Sequence, residues 1–295
     1  MKTNLKIMMI LILSFFVFGC FEAKPAQIIK GNGEQIRVIC LIGQSNCAGC
    51  SRVKYLKQNI DRTMFNNFKK GIPNVYINYF VDNQNTSSTF REVALGYGTN
   101  PDYFGPEVGM AKVLNIELNE KVAIVKYAYG GTALGTMWFH HENENGILYD
   151  GFLNYLKGSL DLLVSLNYKP VVTDICFMQG ESDCFDNLQD KYYDELKAMV
   201  SGLREELKDY NDNEIYFIDA FISNSYFWQY YETINNAKKA FGEESEYNIY
   251  IDTINEGLTF DKEPIGSPDI AHYDSLSELK LGELFGDAVI NHQQK

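Results

Sequence analysis

Six short apolar runs recur along the chain, with stretches of helical spacing between most of them, and this alternation constrains the fold more than any other feature. The runs are Ile36–Ile42, Val75–Val81, Val122–Ala128, Val171–Met178, Ile215–Phe221 and Tyr247–Ile251. Each has the length of a buried strand and is too short for a buried helix. Helical spacing links Val108, Ala111, Val113, Leu114 and Leu118, and then Phe152, Tyr155, Leu156, Leu160, Leu163 and Leu166. It returns at Tyr192, Leu196, Met199, Leu203 and Leu207, and at Leu276, Leu279, Leu284, Phe285 and Val289. Strands alternating with helices predict a mainly parallel central sheet covered on both faces, a three-layer α/β/α sandwich. No repeat, low-complexity tract or linker interrupts residues 35–295, so a single α/β domain is expected. At 45% apolar residues the chain can fill a substantial core.

The first residues read differently. Lys2 and Lys6 precede an apolar run from Ile7 to Phe18, which is too short for an ordinary membrane span and reads as a signal peptide over residues 1–20. Its end, Val17-Phe18-Gly19-Cys20, resembles the lipobox of bacterial lipoproteins, which implies export with a lipid on Cys20. A plain secretory signal is the alternative. Residues 21–34 are polar, contain Pro and Gly, and read as a tether. A net charge of −13 argues against nucleic acid, whose affinity rests on Lys and Arg at phosphates. It also argues against attraction to anionic lipid, leaving the anchor as the one expected membrane contact. With Cys20 set aside, Cys40, Cys47, Cys50, Cys176 and Cys184 remain, an odd number that cannot all pair within one chain. Cys47 and Cys50 form a C-x-x-C, but no second one follows, so a four-cysteine zinc site is not expected.

Parallel sheets bind ligands outside the carboxyl ends of their strands, so the informative residues should lie where apolar runs stop. There the chain reads Gly43-Gln44-Ser45-Asn46, Tyr129-Gly130-Gly131-Thr132 and Gln179-Gly180-Glu181-Ser182-Asp183, with Asp269-Ile270-Ala271-His272 before the last helix. These residues suit acyl transfer. A serine hydroxyl becomes a useful nucleophile when a histidine takes its proton, and a carboxylate on the other ring nitrogen fixes the tautomer. Asp269 and His272 share one turn, which puts the carboxylate within reach of the ring. The N–H groups of Ser45 and Gly131 and the Gln179 amide are available as oxyanion donors, each typically worth about 10²–10³ in rate. No metal or organic cofactor is required. His140, His141 and Glu142 read as a solvated loop, and Tyr226, Phe227, Trp228, Tyr230 and Tyr231 as either a packed surface loop or a platform for sugar.

Together these blocks resemble the SGNH hydrolase superfamily, whose fold is flavodoxin-like. Within it they are most similar to the sialate O-acetylesterase and acetylxylan esterase branch, carbohydrate esterase family six. Gly43-Gln44-Ser45-Asn46 with Ala48-Gly49 resembles its opening, and Phe104-Gly105-Pro106-Glu107 its segment before a helix. Gly130-Gly131-Thr132 with Trp138, Gln179-Gly180-Glu181 with Asp183, and Asp269 with His272 complete the set. Cys47 stands where the family usually has Met, and Phe177-Met178 replaces its usual Trp-led pair. The resemblance implies Ser45 as nucleophile, His272 as general base and Asp269 as its orienting carboxylate. It implies Ser45, Gly131 and Gln179 at the oxyanion, and Gln44, Asn46, Glu107, Gly130, Thr132 and Trp138 around the substrate. Glu181 is the rival, able to orient His272 instead or to hold Gln44 or Asn46; the turn shared with His272 favours Asp269. The function expected is removal of O-acetyl groups from a carbohydrate, either sialic acid or a xylan-type polysaccharide. An esterase for other short acyl groups and a non-catalytic carbohydrate-binding lipoprotein are the alternatives.

Overall fold

The computed structural model describes residues 24–292. The expected signal peptide, its Cys20 and residues 21–23 of the expected tether lie outside the described residues. Six parallel strands form the centre: β1 (Gln35–Gly43), β2 (Ile72–Val81), β3 (Val122–Ala128), β4 (Lys169–Met178), β5 (Tyr216–Ala220) and β6 (Asn248–Ile251). Their spatial order is β6-β5-β4-β1-β3-β2. Without β2, which adds an outer strand beside β3, the remaining five follow the flavodoxin order. The antiparallel pieces Asn85–Thr86 and Arg91–Val93 complete the sheet on β2.

The helices are α1 (Ser45–Ala48), α2 (Val53–Asn59), α3 (Arg62–Lys70), α4 (Glu107–Glu117), α5 (Ile147–Ser165), α6 (Tyr192–Leu207), α7 (Tyr231–Gly242) and α8 (Ser275–Asn291). Alternation along β3 shows how the layers divide, since neighbouring strand residues point to opposite faces. Lys126 points to Glu107 of α4, whereas Tyr127 packs on Phe152 and Tyr155 of α5. Helices α4 and α8 thus cover one face, and α5, α6 and α7 the other. The first of these layers is unusually close. A Cβ at Gly109 would lie 1.9 Å from the Leu279 carbonyl, and one at Gly282 would lie 2.0 Å from the Pro106 carbonyl.

Residues 26–33 are not a free tether. Ile28 and Glu92 donate backbone hydrogen bonds to Phe90 and Ala26, Gln27 bridges Arg91, and Gly31 and Gly33 donate to Leu166 and Asn167. Ile28 is buried there. This segment covers an edge strand that would otherwise present unpaired backbone groups. All five cysteines of the domain are free, and Cys40, Cys47, Cys176 and Cys184 are buried.

Candidate active site

β1 is where the chain reverses direction across the sheet, with β3 on one side and β4 on the other. Helices that leave two such strands in opposite directions open a crevice at their carboxyl ends. The first turn of the crevice depends on Gly43, whose φ is 148°. A Cβ there would lie 2.0 Å from the Met178 carbonyl, so only glycine lets β1 end against β4. Gln44 follows, and Ser45 heads the short helix α1.

The buried side chains around Ser45 tie the strand ends together. Gln44 Oε1 accepts from the N–H groups of Gly180 (3.4 Å) and Ser182 (3.2 Å) and from Gln179 Nε2 (3.3 Å). Asn46 Nδ2 donates to Glu181 Oε1 at 2.6 Å and to the Ala271 carbonyl at 3.5 Å, while its Oδ1 accepts the Tyr273 N–H at 3.1 Å. Ser51 Oγ donates to the Tyr273 carbonyl at 2.6 Å. The residues after Ser45 therefore clamp the 269–273 loop from both sides of His272.

On that loop, His272 Nδ1 and Asp269 Oδ2 are 2.8 Å apart. The hydrogen bond to His272 holds the Asp269 carboxyl below the usual carboxylate range. Burial by itself would push His272 down, but the Asp269 hydrogen bond and the Cys50 sulfur outweigh it and push the imidazole up to about 10. Cys50 was not expected in this role. Its sulfur acts on the imidazole electrostatically, and it lines a small crevice with His272, Arg52, Tyr55 and Asp269. His272 thus has Asp269 as its hydrogen-bond partner and is not hydrogen-bonded to Ser45. Such contacts between nucleophile and base are often loose before substrate binds.

Glu181 lies elsewhere. It is fully buried, with Asn46 on one oxygen and no partner on the other, and burial pushes its pKa up. Of the two carboxylates weighed from sequence, Asp269 is the one on the ring, and Glu181 holds Asn46. Across the crevice, Gly130 and Gly131 are exposed, and a Cβ on Gly130 would lie 3.7 Å from Ser45 Cβ. The Gly130 N–H is taken by Asp82 Oδ1 at 2.6 Å. Gly131 has φ 69°, and among the described residues neither its N–H nor that of Ser45 is spent on a protein acceptor outside regular elements.

Several expected site residues sit behind this surface. The Gln179 amide is buried, with Nε2 directed at Thr132 O (2.9 Å), Asp183 Oδ2 (2.6 Å) and Gln44, and Oε1 accepting from Tyr192. Three acceptors for two hydrogens leave no donor for an oxyanion. Thr132 Oγ1 donates to Tyr129 O and accepts from the buried Trp138 indole at 3.0 Å. Trp138 packs edge-on against Tyr127 and Phe177 and offers no face to a substrate. Glu107 is fully buried, pairs with Lys126 at 2.6 Å and accepts the Gly105 N–H at 2.9 Å. Gln44, Asn46, Glu107, Thr132 and Trp138 therefore frame the site from within, and Gly130 alone of the six expected substrate contacts faces the crevice.

Three further residues support the site, and of these only Asp183 belongs to a block picked out from the sequence. Lys126 is a cation inside an apolar strand, and besides Glu107 it donates to the Ala48 carbonyl at the end of α1 (2.9 Å) and to Tyr97 O. Asp183 accepts the N–H groups of Leu134 and Gly135, fixing the turn after Gly131. Asp82 holds Gly130. His140 and His141 bond Asn145 and Glu195, and no metal-binding group of His, Cys, Asp and Glu occurs among the described residues.

The model of the family described as "Carbohydrate esterase, sialic acid-specific acetylesterase" matches residues 35–291. A crystal structure of an Arabidopsis thaliana protein is 17% identical, with a TM-score of 0.61 over 87% of this chain and 98% of that one. The crystal structure of NanS is 15% identical, with a TM-score of 0.62 over 90% and 99%. At these identities the likeness is one of fold. No curated protein matches the sequence. From the family match over nearly the whole domain, the chain belongs to the sialic acid-specific acetylesterase family of carbohydrate esterases and is a carboxylic ester hydrolase.

Proposed function

We propose that the protein removes O-acetyl groups from carbohydrate by a serine acyl-enzyme mechanism. Ser45 Oγ attacks the acetyl carbonyl while His272 Nε2 takes its proton, with Nδ1 held by Asp269. The N–H groups of Ser45 and Gly131 receive the developing oxyanion. As the C–O bond to the sugar breaks, His272 returns the proton to the sugar oxygen. Water then attacks the acetyl-serine with His272 again as base, giving acetate and free serine. The observation that carries the reading is the 2.8 Å Asp269–His272 contact on a loop clamped by Asn46 beside Ser45. The sugar part of the substrate is supported by the family.

The test is acetate release from acetylated xylan and from 9-O-acetyl sialic acid, comparing wild type with Ser45→Ala. The expected result is hydrolysis of at least one, lowered roughly 10⁴-fold or more in the variant. Activity on an aryl acetate alone would reject the carbohydrate, and activity that survives in Ser45→Ala would reject the mechanism. We further propose that the chain is exported and lipidated on Cys20, supported by the residue pattern at positions 1–20. Palmitate labelling that survives in Cys20→Ala would reject that assignment.

A further inference from the structure

Among the described residues the exposed aromatic side chains are Phe185, Tyr226, Phe227 and Tyr230, and all four lie in one place. Tyr226 is 82% exposed and Phe227 48%, whereas the other exposed large apolar residues are aliphatic. Phe185 and Phe227 meet edge to face at 6.0 Å over the buried Trp228, which lies 4.7 Å from Phe227. The backbone beneath them is fixed. Ser225 accepts the Trp228 N–H on its carbonyl and the Phe227 N–H on Oγ, and the buried Cys184 before Phe185 donates to the Gly180 carbonyl at 3.8 Å. A contiguous exposed aromatic patch on a rigid support is unusual unless something covers it.

Its position says what. Phe185 follows the turn whose Ser182 N–H is bound by Gln44, next to Ser45. The loop that carries Tyr226 to Tyr230 starts at Phe221, whose carbonyl accepts from Tyr273, next to His272. The patch is thus carried by the loops that leave the carboxyl ends of β4 and β5, at the same edge of the sheet as the crevice. Asn187, Asn224 and Gln229 are exposed at its rim, and residues 182–190 and 222–230 contain no Lys or Arg. Flat apolar rings with amides beside them match the alternating C–H faces and hydroxyls of a pyranose. The exposed carboxylates Asp186 and Asp190 lie in the same loop, with Lys191 the nearest cation along it, and this balance disfavours an anionic partner.

We infer that Phe185, Tyr226, Phe227 and Tyr230 form a subsite for a neutral glycan chain, stacking on sugar rings beyond the one that carries the acetyl group. This rests on the proposed esterase reading and narrows it to an oligomeric or polymeric substrate.

The experiment compares wild type with the double variant Tyr226→Ala/Phe227→Ala on O-acetylated xylohexaose and on O-acetylated xylose. Wild type should show a KM for the hexaose about tenfold lower than for the monomer, as two stacking contacts would give. The variant should lose that advantage with kcat unchanged, and Phe227→Tyr should keep it. Equal KM values in wild type, or an advantage that survives in the double variant, would overturn the subsite. So would a parallel loss on both sugars, or loss of vesicle binding or self-association with KM unchanged. Hydrolysis of 4-nitrophenyl acetate, measured alongside with Ser45→Ala, reports on the underlying serine chemistry independently.

Discussion

At the scale of single residues, the arrangement separates carboxylates by what they touch. Asp269→Asn should lower kcat by about 10³–10⁴-fold, because the amide would fix the wrong tautomer of His272. Glu181→Gln should cost far less in kcat, since Glu181 reaches His272 only through Asn46. Steady-state kinetics on one substrate distinguishes the two, and equal losses would reject the assignment. The pH profile carries a second prediction. With the imidazole pushed up to about 10, the neutral base becomes available only as pH rises, so kcat/KM should climb through neutrality into the alkaline range. Cys50→Ala removes one cause of that shift and should move the acid limb to lower pH. A limb that stays in place would show that the sulfur does not act on the base. The sign for stability is opposite. A folded-state value raised above the unfolded one stabilises fully below the unfolded pKa, and that contribution is lost as pH rises through the folded value.

Among elements, what could be read from the sequence followed from how apolar each inward face is. The six strand runs fall within a residue or two of β1 to β6 at most ends, with β2 and β4 starting earlier, and α4, α5, α6 and α8 match the four spaced patterns. Helix α7 was not seen because two of its four buried positions are polar, Asn235 and Lys238. Asn235 bonds both the N–H and the carbonyl of Ile222, and Lys238 reaches Asp219 at 2.5 Å and Ala220 O at 2.8 Å. Helix α2 and the pieces at Asn85–Thr86 and Arg91–Val93 are too short to impose a period, whereas α3 carries one apolar edge of Met64, Phe65 and Phe68 on an otherwise polar nine-residue helix. The site shows the same asymmetry. Blocks at strand ends do come together at one edge of the sheet, but spacing does not say which polar side chains turn inward, and so Gln179, Thr132 and Trp138 were expected at a surface they do not reach. Two predictions belong at this scale. Gly109→Ala must push α4 from α8 and should destabilise by about 1–3 kcal/mol in urea unfolding. Lys126→Met would leave Glu107 buried without its partner and should cost about 3–5 kcal/mol, part of it recovered when Glu107→Gln is added.

For the whole molecule, alternation was enough to place the candidate residues at the carboxyl ends of the strands, but the strand order, and with it the reversal at β1, could not be read from it. The path of residues 24–34 was not legible either, since a polar segment with Pro and Gly looks the same whether it dangles or docks. Docked, it begins beside Gly71, where a Cβ would touch Pro25, at the amino end of β2. The crevice lies at the other end of that sheet, roughly 30 Å away by the rise of a ten-residue strand. Whatever holds the protein by its N-terminus therefore grips it from behind. A membrane attached there would be at the back of the molecule, and the opening of the crevice would be turned outward, toward the medium.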